Sequence, residues 1–214
     1  MSCALCAKRK PRRLCPAVAG EICTVCCATS REQTLDCPVD CEYLLQAHEH
    51  EKLAEPAASD IPNQDISVDE TFLREHEWVF MALLNAIAGV ARQHPAVNDW
   101  DAREAMDGLI RTYRTLEAGL YYESKPENRR AGEVFAAVNA CVANIRSAEA
   151  NARGMARLRD STVLKILVFL ERLERVHSNG RARSRAFLAS LSRFTPPEKN
   201  SSDSVEPAAA SLIL

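Results

Sequence analysis

Apolar residues recur at three- and four-residue steps over most of the chain beyond Ser67. This spacing places them on one face of a helix, as expected for amphipathic helices that each bury one face. Four such stretches are separated by short polar or proline-containing segments. The pattern therefore predicts a mainly α protein with an antiparallel up-and-down bundle of about four helices. It favours this fold over tetratricopeptide repeats, because no motif returns at their period of about 34 residues.

The first two predicted helices have recognisable start and stop residues. Ser67 begins a Ser-x-x-Glu capping-box pattern, and Pro95 ends the first helix. Asn98 or Asp99 caps the second helix, which is predicted to run to about Glu123. The positions predicted to face the core are Phe72, His76, Val79, Phe80, Leu83, Ile87 and Val90, followed by Ala102, Met106, Leu109, Tyr113, Leu116 and Leu120.

The other two helices are predicted from similar signals. Pro126 is placed in the first turn of the third helix, and Asp160 or Ser161 starts the fourth. Asn179-Gly180 either ends the fourth helix or merely kinks it. The predicted inward positions are Val134, Phe135, Val138, Cys141, Val142 and Ile145, followed by Val163, Ile166, Leu167, Leu170, Leu173 and Val176.

Cysteines divide the chain into two parts. Eight of the nine cysteines lie in the first 41 residues, spaced Cys-x2-Cys-x8-Cys-x7-Cys-x2-Cys-Cys-x9-Cys-x3-Cys. We therefore predict a cysteine-rich module over residues 1–48 and a flexible, proline-containing linker over 49–66. The helical bundle then covers 67–194, and the polar segment 195–214 is predicted to be a disordered tail.

The cysteine spacing predicts a metal centre. Cys-x2-Cys and Cys-x3-Cys pairs joined by turn-length segments are typical of tetrahedral thiolate sites, and eight thiolates suit two zinc ions. The predicted ligands are Cys3, Cys6, Cys15, Cys23, Cys26, Cys27, Cys37 and Cys41. So small a module has few large apolar side chains, so zinc binding is expected to be coupled to its folding. Disulfides are disfavoured because no secretory signal is present.

Residues 3–44 resemble the N-terminal cysteine-rich segment of an uncharacterised bacterial family, in which that segment precedes a helical region and no activity is assigned. More distantly, they are similar to HIT-type and MYND-type zinc fingers, which interleave two zinc sites in a cross-brace and mainly mediate protein contacts. The resemblance implies a treble-clef or cross-brace module and a bacterial origin. It rests on the string CALCAKRKPRRLCPAVAGEICTVCCATSREQTLDCPVDCEYL.

The similarity to the HIT-type finger also implies a pairing of the ligands. It places Cys3, Cys6, Cys23 and Cys27 on one ion, and Cys15, Cys37 and Cys41 on the other. The Cys-Pro-x-Cys of that finger is replaced here by Cys15-Pro16-Ala17-Val18, so we assign Cys26 as the missing fourth ligand. Other divisions of eight ligands remain open, and His48 or His50 is an alternative ligand to a cysteine.

Two groups of basic residues raise the alternative of nucleic-acid binding. The first is the loop containing Lys8, Arg9, Lys10, Arg12 and Arg13. Five positive charges there can bind phosphates, or can instead offset the negative charge of zinc-bound thiolates. The second group is Arg172, Arg175, Arg183 and Arg193, which share one face if the last helix runs unbroken past Gly180.

Charge is unevenly distributed along the chain. Residues 51–100 carry three basic and nine acidic side chains, net −6, whereas residues 151–200 carry eleven basic and four acidic side chains, net +7. The basic stripe can therefore be a solvated face that complements the acidic first helix or a second protomer. The net charge of −2 for the whole chain counts against a dedicated DNA-binding protein.

These observations favour a non-enzymatic protein-interaction or regulatory adaptor with an unknown protein partner and a possible homodimer interface on the bundle. The alternatives are a nucleic-acid-associated factor and a thiol redox protein that uses Cys23, Cys26 and Cys27. A di-metal carboxylate centre is disfavoured, because only one Glu-x-x-His motif occurs, Glu174 to His177.

The sequence also bears on location and on the end of the chain. The longest uncharged run, Trp78–Ala91, is too short to cross a bilayer, and the first residues lack the apolar core of a signal peptide. We therefore expect a cytoplasmic protein with no membrane partner. Leu212-Ile213-Leu214 ends an otherwise polar tail, either as a docking peptide or by chance of composition.

Overall fold

The computed structural model describes residues 2–51, 57–191 and 194. In these ranges the protein is mainly helical, with a two-stranded sheet near its start, so the predicted mainly α class is confirmed. The elements are β1 Arg13–Cys15, β2 Gly20–Ile22, α1 Thr24–Ser30, α2 Glu42–His50, α3 Glu70–Glu75, α4 Glu77–Gln93, α5 Asp99–Glu117, α6 Arg129–Arg153, α7 Asp160–His177 and α8 Ala186–Leu191. The predicted tail, 195–214, and Arg193 lie outside the described residues.

The cysteine-rich module is built on a short hairpin. β1 and β2 are antiparallel, with Arg13 opposite Ile22 and Cys15 opposite Gly20. Helix α1 follows β2 directly. The module has its own small core, in which the buried cysteines are joined by three buried aliphatic residues, Ile22, Leu35 and Leu44, with Val18 and Tyr43 packed against them. So few apolar side chains bury little surface, as expected for a fold that needs another source of stability.

The long helices pack in an order that differs from the predicted bundle. In a sequential up-and-down bundle, α4 lies beside α5 and α6 beside α7. The extensive contacts instead join α5 to α7, α5 to α6 and α4 to α6, while the short helix α8 packs against both α4 and α7. The predicted up-and-down four-helix bundle is therefore not confirmed beyond the mainly helical class.

The first predicted helix starts later and is interrupted. The Asp69 carboxylate, rather than the Ser67 hydroxyl, caps α3 by accepting the Phe72 N–H at 2.8 Å. The helix then breaks at His76, whose backbone leaves helical geometry and whose ring lies against Phe72. Helix α4 ends at Gln93, before Pro95, as predicted.

The second helix ends earlier than predicted, and the third helix begins later than predicted. Helix α5 ends at Glu117, because Gly119 adopts a left-handed conformation (φ 77°) that stops it. Leu120 lies beyond this stop and is exposed, so its predicted core position is wrong. Asn128 caps α6, and Pro126 precedes the helix instead of lying in its first turn.

Helix α7 ends at His177, and Gly180 is left-handed, so Asn179-Gly180 ends this helix. The condition for a continuous arginine stripe is therefore not met. Val176 is exposed, contrary to prediction. The other inward positions of α7 are buried, apart from the half-buried Leu173. Cys141 packs against the core from a half-buried position, as predicted. In the described part of the chain, none of the helices is long and apolar enough to span a bilayer.

The second half of the predicted linker contacts helices α5 and α7. Arg172 donates to the backbone carbonyls of Pro62 (3.3 Å), Asn63 (2.6 Å) and Ile66 (2.9 Å). Arg114 donates to Asp65 at 2.8 Å. Two arginines on α5 and α7 therefore hold this segment against the helices.

A pair of carboxylates at the α5–α7 contact makes stability depend on pH. Burial, a hydrogen bond to Asp107 and the charge of Asp107 raise the pKa of Glu171 from near 4.5 to about 7. Between these values the folded protein binds more protons than the unfolded chain, so the free energy of unfolding falls as pH rises. We expect Glu171→Gln, which imitates the protonated form, to stabilise the protein at pH 8 by on the order of 2 kcal/mol.

The measurement is urea unfolding of both proteins at pH 5 and pH 8. At pH 5 the wild-type carboxyl is already protonated, so the two proteins should differ little. Glu117→Gln, at an exposed position on α5, is the matched control and should change neither value. A Glu171→Gln protein whose stability differs from wild type by the same amount at both pH values would contradict the raised pKa of Glu171.

Candidate metal centre

Four cysteines from two segments converge beside the hairpin. Cys3 and Cys6 form a knuckle before β1, while Cys23 and Cys26 lie at the start of α1. Their four sulfur atoms all lie within 4.8 Å of one another. Four mutually close thiols are the donor set of a structural zinc site, so this group is able to hold one zinc ion.

Backbone N–H groups support negative charge on these sulfurs. The Cys23 N–H donates to the Cys3 sulfur at 3.2 Å, and the Cys26 N–H donates to the Cys23 sulfur at 3.4 Å. The second hydrogen bond also caps the N-terminus of α1, so the start of this helix fixes the positions of Cys23 and Cys26 relative to each other. Such donors are typical of thiolates that bind a metal, because they stabilise the charged form.

Two of these thiols, Cys3 and Cys26, have pKa values shifted in opposite directions. Burial opposes ionisation of Cys3, but the N–H groups of Cys6, Cys23 and Leu5 lower its pKa to about 6. Hydrogen bonding to Cys23, together with burial, raises the pKa of Cys26 to about 12. Neighbouring thiolates repel one another, so all four ionise together only with a cation between them. Zinc binding here would therefore release protons.

The ligand pairing implied by the HIT-type resemblance is corrected. Cys26, and not Cys27, completes the group with Cys3, Cys6 and Cys23. Cys23 is the N-cap of α1, and its sulfur accepts the Cys26 N–H, which keeps these two cysteines together at the helix start. The Cys27 sulfur instead accepts from Arg13 and borders a separate cavity.

The remaining four predicted ligands line one cavity, separate from the first group of cysteines. Cys15, Cys27, Cys37 and Cys41 all border one cavity of about 10 Å³. Burial raises the pKa of the Cys37 thiol to about 11, and Cys41 and Cys15 contribute to the rise through their charge. Among the residues described, this set is not gathered as tightly as the first.

Two arginines of the basic loop lie beside the thiols. The Arg9 side chain is hydrogen-bonded to the Cys23 sulfur, which raises the pKa of that arginine. Arg13 Nη1 donates to the Cys27 sulfur at 3.3 Å, and its guanidinium lies 4.5 Å from the centre of the Tyr43 ring. One arginine therefore faces each set of cysteines. This geometry favours the interpretation that the loop offsets thiolate charge, although Lys8, Lys10 and Arg12 remain exposed.

A second group of possible ligand atoms lies away from the cysteines. Glu32, His48 and Glu51 have one ligand atom each within 4.8 Å of the others, so by distance they are also able to hold an ion. Their existing partners favour a different role. Arg181 forms ion pairs with both carboxylates, at 2.7 Å from Glu51 and 3.8 Å from Glu32. His48 therefore belongs to this group and not to the cysteine sites.

Glu32 is the centre of a contact between the cysteine-rich module and the segment that joins α7 to α8. Residues 178–185, which join α7 to α8, are here called the docking loop. The Glu32 carboxylate is fully buried and accepts the Arg185 N–H at 2.6 Å, the Asn179 side chain at 2.8 Å and the His48 ring at 3.0 Å. The Arg183 N–H donates to the Glu32 carbonyl at 2.8 Å.

Arg185 extends the same contact into both cores. Its buried guanidinium donates to the Cys37 carbonyl at 2.9 Å and to the Ala91 carbonyl on α4. The module and the helices are thus joined by a buried polar network. Sequence reasoning missed Glu32 and Arg185, because neither lies in a motif and the hydrogen bonds of Arg185 to Glu32, Cys37 and Ala91 join residues more than 90 positions apart.

The predicted arginine stripe is dispersed over intramolecular partners. Arg172 binds backbone carbonyls before α3, and Arg175 lies 3.9 Å from Glu171. Arg183 pairs with Asp36 of the module at 2.8 Å. The structure does not bring these three onto one helix face, because only the first two lie on α7.

Comparison with known proteins leaves the chain without an assigned relative. No family model, curated protein or solved structure matches it. The similarity to the uncharacterised bacterial family and to the HIT-type and MYND-type fingers therefore stays a prediction.

Proposed function

We propose that this protein is a zinc-stabilised, non-enzymatic interaction adaptor, in which metal sets the shape of a small binding module that is held rigidly on a helical body. The observation that carries the proposal is the group formed by Cys3, Cys6, Cys23 and Cys26. Four protein ligands complete a tetrahedral site and leave no position for a substrate, which is the arrangement of structural and not catalytic zinc.

The proposed module holds two zinc ions. The first uses the group just described, and the second uses Cys15, Cys27, Cys37 and Cys41, which border one cavity. Cys15 lies between the two halves of the first set along the chain, so the sites interleave as in a cross-brace. The order of knuckle, hairpin and helix start supports a treble-clef arrangement for the first site.

The module offers apolar side chains to a partner. Leu5 and Val25 are exposed and occupy the same position in the two Cys-x2-Cys knuckles of the first site. Leu14, on β1, is more exposed still. Apolar side chains displayed on a small, metal-rigidified surface lose little conformational entropy on binding, which favours protein recognition.

The test is affinity capture with the zinc-loaded chain and with a variant carrying Leu5→Ser and Val25→Ser. We expect the wild-type chain to retain specific proteins. The double variant should retain about tenfold less of these proteins while keeping its zinc. Leu120→Ser, at an exposed apolar position of the bundle, is the matched control and should capture normally. Equal capture by all three chains would contradict a binding role for the knuckles.

The same experiment separates the alternatives. Nucleic-acid binding would rely on Lys8, Lys10 and Arg12, since Arg9 and Arg13 face thiols. Capture that disappears after nuclease treatment would support that alternative instead. A redox role would require Cys23 and Cys26 to exchange disulfides, and it predicts metal-free, readily oxidised protein.

A further inference from the structure

An exposed surface of the cysteine-rich module combines apolar and basic side chains. Its apolar members are Leu5 and Val25, one in each knuckle of the first site, and Leu14 on β1, which is 69% exposed. Its basic members are Lys8, Lys10 and Arg12, which are all exposed. These six residues are here called the knuckle surface. Its three cations form no ion pair with the part of the chain that the structure describes.

Hydrogen bonds hold the knuckle surface together. The Lys8 N–H donates to the Cys6 sulfur, so the basic loop folds over the first knuckle. The Ala4 N–H donates to the Glu21 carbonyl at 2.9 Å, which places the same knuckle beside β2. Leu14 lies opposite Glu21 in the hairpin. The knuckle, the loop and the hairpin therefore present their exposed side chains next to one another.

The charge of this part of the module has mainly one sign. Residues 2–31 contain six basic side chains and a single acidic one, Glu21. Arg9 and Arg13 face thiols, whereas the three cations of the knuckle surface face solvent. Exposed cations beside apolar side chains are complementary to a ligand that carries carboxylates beside apolar groups.

The module offers little aromatic surface to a nucleic acid. Proteins that bind single strands stack the bases on exposed aromatic rings. Tyr43 is the one Phe, Trp or Tyr side chain in residues 1–48, and the Arg13 guanidinium lies over its ring, 4.5 Å from the ring centre. The apolar members of the knuckle surface are all aliphatic. These observations favour a peptide ligand over a single-stranded nucleic acid.

We propose that the knuckle surface binds an acidic segment of a partner protein, in which Asp or Glu residues flank large apolar ones. This inference rests on the proposed adaptor function and names the class of its partner. Burial of the three aliphatic side chains against the apolar residues of the segment supplies most of the affinity. The three cations pair with its carboxylates, which selects acidic segments and speeds their association.

The first experiment selects short peptides from a random phage-displayed library on the zinc-loaded full chain. We expect the selected peptides to contain about twofold more Asp and Glu than the input library, with Leu, Ile or Phe between the acidic residues. Selected peptides with the acidic content of the input would overturn the proposal. Selection of no peptide above background would also overturn it.

The second experiment measures binding of the most enriched peptide, labelled with fluorescein, by fluorescence anisotropy. The cation variant replaces all three cations of the knuckle surface with glutamine and should bind the peptide about tenfold more weakly. The control changes the net charge equally, through Arg111→Gln, Lys125→Gln and Arg157→Gln at exposed positions beyond the module. It should bind as the wild-type chain does. An equal loss in both variants would show an effect of net charge alone and contradict the proposed surface.

Glu21 allows a variant that is expected to gain affinity. Its carboxylate lies beside the knuckle surface and repels an acidic ligand. Glu21→Gln should therefore tighten binding of the peptide by about twofold to threefold, which an unfolded module could not do. Zinc content, measured on every variant, should equal that of the wild-type chain.

This inference and the adaptor proposal fail in different ways. Protein capture that is lost in the Leu5→Ser and Val25→Ser chain but kept in the cation variant would leave the adaptor standing and overturn the acidic partner. Absence of capture by the wild-type chain would contradict the adaptor itself. Single-stranded RNA that displaces the labelled peptide at a lower concentration than unlabelled peptide does would assign the cations to nucleic acid instead.

Discussion

Chains carrying Cys3→Ser and Cys26→Ser together are expected to retain about one zinc ion, whereas chains carrying Cys3→Ser and Cys27→Ser together are expected to retain none. The first pair of changes removes two ligands from one site. The second pair removes one ligand from each of the two sites. Elemental mass spectrometry on protein purified under reducing conditions measures the difference. The pairing implied by the HIT-type finger predicts the opposite result, so the two doubles decide between the pairings.

Cys141→Ser provides the control, since Cys141 packs on the helical core far along the chain from the module. It should keep about two zinc ions, as the wild-type chain does. Loss of both ions from the Cys3→Ser and Cys26→Ser protein would contradict independent sites.

Complete removal of zinc should have a larger effect on the module than any single substitution. Structural zinc contributes about 10–16 kcal/mol in zinc-finger peptides at pH 7. The module core has few apolar side chains to replace that contribution. Amide hydrogen exchange after chelation should therefore show loss of protection over residues 3–44 and retained protection in α5 and α7.

Glu32→Ala is expected to destabilise the protein by about 3–5 kcal/mol, because it removes the charge at the centre of a buried network. The Arg185 N–H and the Asn179 side chain would lose their acceptor, and His48 would lose its partner. Urea unfolding of zinc-saturated protein measures the change. Hydrogen exchange should locate the loss in the module and the docking loop.

Glu21→Ala is the matched control, since Glu21 is an exposed glutamate of the same module. It should change the free energy of unfolding by less than about 0.5 kcal/mol. A Glu32→Ala protein that is as stable as this control would show that the network does not hold the module in place.

One residue links the proposed second zinc site to the contact between the module and the docking loop. Arg185 donates to the carbonyl of Cys37, a proposed ligand of the second site. Loss of the ion that Cys37 would bind should therefore loosen the docking loop as well as the module. Burial lowers the pKa of Arg185, and the charges of Asp99, Asp36, Cys37 and Glu32 oppose that shift.

Local patterns predicted most of the helices because their spacing reflects which face is buried. Val79, Leu83 and Ile87 recur on one face of α4 and are all buried. The incorrect predictions lie at the ends of helices, where several neighbouring residues could each start or stop the helix. Ser67 has the pattern of a cap, but Asp69 takes that role, and Leu120 continues a stripe beyond the residue that stops the helix.

The sequence by itself determined the mainly helical class, the concentration of cysteines in one small module and the helix faces that enter the core. These properties depend on neighbours a few residues apart, so spacing encodes them. Only the tertiary structure decided that Cys26 joins Cys3, that the docking loop binds Glu32 and that α8 packs against α4. Each of these contacts joins residues far apart in the chain, and local spacing contains no information about which distant surfaces meet.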